Sequence, residues 1–339
     1  MRYRTLGRTA IEVSEIGFGA WGIGGDWGSV DDAEALRALR TALDRGITFF
    51  DTALGYGNGH SEHLIGQAIE HIHDDVVIAT KIPPKTYRWP VYPHEPIAET
   101  FPADWIVECT EQSLRNLGVD HIDIQQLHAW TPTYIDQTEW HDALTKLKEQ
   151  GKIRAFGVSV NDWDAYGGVD IVKSGMIDTV QVIYNIFEQR PAEALLPAAL
   201  GANVGVIVRV PFEEGLLTGR VRPGHKFADG DWRAQYLTPE RIAEATRRLE
   251  AIDPVRQGLH ATPAELALKF CLSHPAVSTV IPGMRRPAHV EDNVAAADGE
   301  LLSVEDRAEL KRHAFVHGWT YPWAAPPPEE PIEQEADGE

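Results

Sequence analysis

At 339 residues the chain has room for two average domains or one large α/β barrel, and 43% hydrophobic with 24% charged residues describe a globular protein needing no covalent staples. Lys and Arg number 31 against 51 Asp and Glu; the formal charge of −20 argues against nucleic acid and anionic membrane as partners. Cys109 and Cys271 fall in separate helix-like segments and are expected as buried free thiols, and the absence of a signal-like N-terminus or a membrane-length apolar run predicts a cytoplasmic protein.

In chain order, a short strand-like run at Ile16–Gly19 precedes a Gly-rich stretch, Gly19-Ala20-Trp21-Gly22-Ile23-Gly24-Gly25. A helix follows over Asp31–Arg45, with Ala35, Leu36, Leu39, Ala42 and Leu43 at helical spacing. Further strands are expected at Ile47–Phe50, Val76–Thr80, Ile122–Leu127, Ile153–Ser159, Thr179–Ile183, Val204–Val210 and Val277–Ile281. Helical runs separate them at Asp104–Leu117, Glu139–Gln150, Asp162–Ser174, Ala192–Leu200, Pro239–Asp253 and Thr262–His274, with Pro287–Ala297 after the last strand. Asp104 and Thr262 are expected helix caps, Pro263 suits a first turn, and Gly118 and Gly151 suit helix ends.

Nearly continuous apolar strands, each followed by a helix, indicate a parallel sheet buried on both faces. Repetition without a break favours a closed α/β structure, the (β/α)8 TIM barrel with its active site on the C-terminal face, over an open doubly wound sheet. The Gly-rich stretch lacks the G-x-G-x-x-G spacing that the open sheet would use to bind a dinucleotide. The barrel is expected as a single domain over 1–318. The remainder, 319–339, is acidic and Pro-rich with little to bury, and is expected to be largely disordered.

Catalytic groups of such barrels sit at strand C-termini. Asp51 ends one predicted strand and Tyr56 follows one short loop later; Lys81 and His128 end the next two. Any one of them alone could be an ordinary strand-end polar residue. Together they form a proton-transfer set.

The ordered motifs of the chain resemble the aldo-keto reductase family over roughly residues 2–315. They run from Tyr3-Arg4-Thr5-Leu6-Gly7-Arg8 and Val13–Gly19 through Asp51-Thr52-Ala53, Tyr56-Gly57, Ser61-Glu62 and Ala79-Thr80-Lys81. Leu117-Gly118-Val119-Asp120, Gln126-Leu127-His128, Gly157-Val158-Ser159, Gly215–Gly219 and Val280-Ile281-Pro282-Gly283 complete the series. The resemblance implies an NAD(P)H-dependent carbonyl reductase, an oxidoreductase of the bacterial NADP-dependent type, with Asp51, Tyr56, Lys81 and His128 as its catalytic tetrad. The chemistry is consistent with those roles. Hydride addition to a carbonyl leaves an alkoxide that needs a proton, and a free phenol with a pKa of about 10 is a weak acid for that work. A nearby Lys81 ammonium would favour the phenolate of Tyr56, Asp51 would hold Lys81, and His128 would hydrogen-bond the substrate oxygen.

By position, the resemblance also implies cofactor contacts. Ser159 and Gln181 match residues that hold the nicotinamide amide, Asp292 and Asn293 match the adenine pair, and Gly283, Arg285 and Arg286 lie where the adenosine phosphate is gripped. Paired guanidiniums favour NADP(H) over NAD(H). Two positions depart from the family. Val160 stands where Asn usually follows the serine, with Asn161 one place later, which puts one amide hydrogen bond in question. Arg209 replaces a stacking Tyr; its flat guanidinium can also stack, but it brings positive charge toward the nicotinamide.

The aromatic, Pro-rich segment Pro83–Pro96 and the residues Trp21, Trp27, Trp89 and Trp130 are expected to shape a substrate pocket, with packing anchors as the alternative. They suit a small carbonyl compound, sugar-derived or aromatic. The protein would act as a monomer or homo-oligomer. No metal site is expected: His71 and His73 lack further ligands in sequence, as do His60 and His63. Two other functions stay open at this stage. One is an NADPH-binding partner subunit like the channel β subunits that resemble the family; the other is a barrel isomerase or lyase holding a phosphorylated sugar through Arg285 and Arg286.

Overall fold

The computed structural model describes residues 1–25, 31–162 and 164–315, so Trp27 and the 319–339 tail fall outside the described residues. An antiparallel hairpin of β1 (Tyr3–Thr5) and β2 (Glu12–Ser14) comes first. Then β3 (Phe18–Gly19), β4 (Phe49–Asp51), β5 (Val77–Ile82), β6 (Ile122–Leu127), β7 (Ile153–Ser159), β8 (Thr179–Ile183), β9 (Gly205–Arg209) and β10 (Val277–Val280) pair in parallel in sequence order.

The sheet closes on itself. Ile16 bridges Val280 and Gly19 bridges Gly283, with Gly17 N donating to Val280 O at 2.8 Å and Gly19 N to Pro282 O at 3.0 Å. A Cβ on Gly19 would lie 2.6 Å from Ile281 O, so the seam needs glycine there. With helices between successive strands, this is the (β/α)8 barrel that the sequence predicted.

Strand periodicity divides the core in two. Phe49, Val77, Ala79, Ile124, Ala155 and Ile207 pack inside the barrel, while Phe50, Ile78, Val180, Val206 and Val208 pack under the helices. Leu6, Ile11 and Val13 of the hairpin join the inner cluster and stopper the N-terminal end. β5, β6 and β8 are buried at every position, as strands covered on both faces must be.

Most helices follow the sequence reading within a residue or two. Thr262 caps Pro263–Leu272 in a reciprocal capping box with Glu265, and Gly118 ends Ala103–Leu117 with φ +69°. Asp104 is no cap; the helix begins at Ala103 behind Pro102, and Asp104 sits in its first turn. The run expected over Asp162–Ser174 is helical only at Val169–Ser174, because Asp164 folds back to accept from Gly167 N at 2.8 Å in a turn. The hairpin, the helix His60–Ile69 and the helix Val304–Lys311 were not anticipated. Cys109 and Cys271 are buried free thiols, and burial pushes the Cys109 thiol up to about 12. Among the described residues no helix is long and apolar enough to cross a membrane.

Candidate active site

Asp51, Lys81 and His128 come from neighbouring strand ends in register: Asp51 pairs with Ala79, and Lys81 with Gln126, two residues before His128. Tyr56 reaches them through a tight turn in which its N–H donates to Ala53 O at 3.0 Å. Gly57 has φ +59°, and a Cβ there would lie 2.0 Å from Gly24 O, so the Tyr56 turn and the Gly-rich loop interlock through glycine.

The four side chains converge. Lys81 is fully buried, and its Nζ donates to Asp51 Oδ1 at 2.5 Å, Thr52 O at 2.7 Å and Tyr56 Oη at 3.5 Å. An ammonium has three protons, and three acceptors surround this one. Burial lowers the Lys81 pKa, and the Asp51 carboxylate opposes that fall. The His128 ring stands edge-on to Tyr56, with centroids 5.6 Å apart, and to Trp89 at 5.4 Å. Burial, then the charges of Lys81 and Arg209, hold His128 well below its usual value, so it is neutral at pH 7. The second oxygen of Asp51 accepts from Gln181 Nε2 at 2.8 Å, tying the four-residue cluster to β8.

A cavity of about 1110 Å³ opens above these groups, larger than the usual range for a pocket holding one drug-sized ligand. Asp51, Tyr56, His128, Trp21 and Trp89 line it. Ser159, Gln181, Arg209, Gly283, Arg285, Asp292 and Asn293 line it as well. Lys81 lies beneath the floor. Gly22 lets the Arg285 chain pass close by, since a Cβ there would be 2.8 Å from Arg285 Cγ.

Two expected residues lie elsewhere. Trp130 has no exposure and packs edge-on against Tyr134 and Trp140, with centroids 5.7 and 5.2 Å away; it is a core anchor, not a pocket wall. Arg286 does not line the cavity; its side chain is exposed and pairs with Glu34 at 3.4 Å. Asp292 lines the cavity but also pairs with Arg220 at 2.7 Å. The two departures take definite form. Arg209 donates to Val160 O at 2.9 Å and pairs with Asp162 Oδ1 at 2.7 Å, so a carboxylate offsets the positive charge expected at that position. Asn161 is hydrogen-bonded to the backbone of Val91.

Sequence reasoning missed Asp162, Phe212 and Trp232 in the lining. Trp232 stacks on Trp21 at 5.7 Å, which in turn stacks on Tyr56 at 6.2 Å. Nothing in the irregular segment around Trp232 marks it, whereas Asp162 stands beside the strand end that carries Ser159. On the opposite face of the barrel, His121 and Asp120 meet His73 with one ligand atom each within 4.8 Å, supplying neighbours that the sequence did not show.

The match to known proteins follows the same layout. Residues 15–314 match the model of the Aldo/keto reductase family, and the chain belongs to that family. Its members are oxidoreductases acting on carbonyl and alcohol groups with nicotinamide cofactors. The chain is similar to aldo-keto reductase YhdN of Bacillus subtilis, at 32% identity over 91% of this chain and 92% of that protein. It is similar to the NADH-specific methylglyoxal reductase of Escherichia coli, at 31% identity over 90% of this chain and 96% of that protein. Among solved structures, the holo form of aldo-keto reductase AKR11C1 from Bacillus halodurans superposes with a TM-score of 0.73 at 29% identity, covering 93% of this chain and 96% of that one. Family membership removes the sugar-phosphate isomerase alternative.

The residues present fit a nicotinamide dinucleotide. Asn293 is buried in the cavity wall, and its Nδ2 has no hydrogen-bond partner among the described residues, as suits a donor awaiting a heterocycle. Burial, then the charges of Arg233 and Arg286, lower the Arg285 pKa, with Asp231 and Glu34 opposing; a phosphate in the cavity would give Arg285 a counter-charge.

Proposed function

We propose that the chain reduces an aldehyde or ketone, or oxidises the alcohol in reverse, with NADPH as the preferred cofactor and Tyr56 as the proton donor. The observation that carries this reading is Lys81 Nζ, held between the Asp51 carboxylate at 2.5 Å and the Tyr56 hydroxyl at 3.5 Å. When bound, the cofactor supplies the hydride. Tyr56 Oη gives its proton to the developing alkoxide, and the Lys81 ammonium stabilises the phenolate left behind. Asp51 and the Thr52 carbonyl fix the other two Lys81 protons, leaving the third for Tyr56. Neutral His128 donates a hydrogen bond to the carbonyl oxygen and polarises it.

Ser159 and Gln181 would hold the nicotinamide amide, with Arg209 beside the ring and pinned by Asp162. Arg285 and Gly283 would take the adenosine phosphate, and Asn293 with Asp292 the adenine. The preference for NADPH rests on Arg285 inside the cavity, since Arg286 pairs outside it. Trp21, Trp89 and Trp232 near Tyr56 suit the flat or ring-shaped body of an aromatic or sugar-derived carbonyl.

A panel of carbonyl compounds, followed by loss of NADPH absorbance, tests the reading. Tyr56→Phe lowers turnover by about 10³-fold, the scale of a lost general acid, while NADPH binding by fluorescence stays within a few-fold. Normal turnover in that variant sinks the proposal. In the same assay KM is lower for NADPH than for NADH; the reverse order removes the assignment of Arg285. A wild-type chain that binds NADPH, turns over nothing and co-purifies with another protein would point to the partner-subunit function.

A further inference from the structure

The resemblance aligns an asparagine with the nicotinamide amide, and this chain has Asn161 one position past that place. Its side chain is already committed. Asn161 Oδ1 accepts from Val91 N at 3.2 Å, and Asn161 Nδ2 donates to Val91 O at 2.8 Å. A side-chain amide thus imitates a strand partner and satisfies both backbone groups of a residue that is only 2% exposed.

Those bonds fall where the aromatic loop, though it packs through Tyr87 on Trp105 and through Trp89 on His128, receives no other hydrogen bond from outside among the described residues. Its flanks are tied by Lys85 N to Thr100 O at 2.8 Å, and by Thr133 Oγ1 to Pro93 O at 3.2 Å. Between Thr86 and Val91, Asn161 provides the hydrogen bonds that reach in from elsewhere among the described residues. Trp89 lies in that stretch, lines the cavity and meets His128 edge-on. Ser159 and Asn161, two residues apart at one strand end, therefore face different tasks.

We propose that Asn161 is a positioning residue of the substrate pocket: it fixes Trp89 against His128, sets which carbonyl compounds fit, and leaves the cofactor amide to Ser159 and Gln181. The Asn161 side chain touches neither reactant and acts through Trp89. The kinetic part of this inference rests on the reductase reading above.

The test is a double-variant cycle with a structural readout beside it. Asn161→Ala raises the KM of the best carbonyl by about 10-fold, as loss of two hydrogen bonds allows, with kcat and the NADPH Kd within about twofold. Asn161→Asp keeps the acceptor for Val91 N–H, and its KM falls between the wild type and Asn161→Ala. In a Trp89→Ala background Asn161→Ala adds nothing further to KM, because both changes remove the same wall. Hydrogen exchange of the Val91 amide speeds up in Asn161→Ala whether or not any carbonyl is turned over, so the clamp can be read even if the reductase function fails. Unchanged Val91 exchange with weakened NADPH binding overturns the proposal and returns Asn161 to the cofactor. Additive effects on KM overturn the route through Trp89.

Discussion

Lys81 shows how a charged group is kept where the solvent cannot reach it. Removing an ammonium from water costs several kcal/mol, and only a well-placed counter-charge with further hydrogen bonds offsets that. Here Asp51 supplies the charge, and Thr52 and Tyr56 take the remaining protons. Asp51→Asn leaves the Lys81 charge buried without its partner, and urea unfolding should show a loss of about 3 kcal/mol along with the loss of activity. Unchanged stability would mean that Lys81 tolerates burial without Asp51. His128 stands in contrast: the charges of Lys81 and Arg209 add to its burial, so its neutral ring can donate a hydrogen bond but does not compete with Tyr56 as an acid.

At the level of elements, strands were the most legible feature. β5, β8 and β9 are rich in β-branched residues and almost wholly buried, as the apolar pattern of the sequence requires, whereas β6 buries Asp123, Gln125 and Gln126 among its apolar residues and β7 exposes Arg154. The hairpin was not legible, because three-residue strands carry too little periodicity to register. His60–Ile69 hid for another reason: its buried face includes Ser61 and Glu62, and Glu62 accepts from Thr80 at 2.6 Å and Asn116 at 2.8 Å instead of presenting an apolar stripe. The residues of the proposed tetrad could be picked out because each ends or closely follows a strand. Trp130 misled because position past a strand end does not say whether a loop turns toward the cavity or back into the helix layer. Arg285 and Arg286 are adjacent in sequence, yet only one faces the cavity, and no pattern of charge distinguishes them. The Tyr56 turn depends on backbone geometry. Gly57→Ala, strained at φ +59° and colliding with Gly24 O, displaces Tyr56: turnover falls at least tenfold while the far-ultraviolet circular dichroism stays that of the barrel. Wild-type turnover in this variant would show that the turn is not what places the phenol.

For the whole molecule, partly buried histidines weigh on stability at mildly acid pH. His128, His274 and His289 all have lowered pKa values, with burial the largest cause in each. In the unfolded chain they take up protons below about pH 6.5, whereas the folded protein holds them neutral to lower pH. The unfolded state then binds more protons, so stability falls as pH drops from about 6.5. Glu62, raised by burial, works in the opposite sense, since its folded carboxyl keeps a proton above the unfolded range. Urea unfolding should give a lower midpoint at pH 5.5 than at pH 7, and His274→Asn should shrink that difference. An equal or higher midpoint at the lower pH would contradict this account.

The barrel seam has a consequence for assembly. Ile16 and Val280 stand near opposite ends of the chain, and Arg285 follows the second of them by five residues. The part of the cavity wall carrying Gly283 and Arg285 is therefore assembled only when the last strand has docked on the first strand of the barrel, the barrel-sheet contact with the longest loop to close. On the cofactor assignment proposed above, a chain still missing its final segment carries Asp51, Tyr56, Lys81 and His128 but no grip for an adenosine phosphate. Under that assignment, affinity for the dinucleotide is a checkpoint on the finished ring: ligand would select molecules that have completed it and, by mass action, keep them shut.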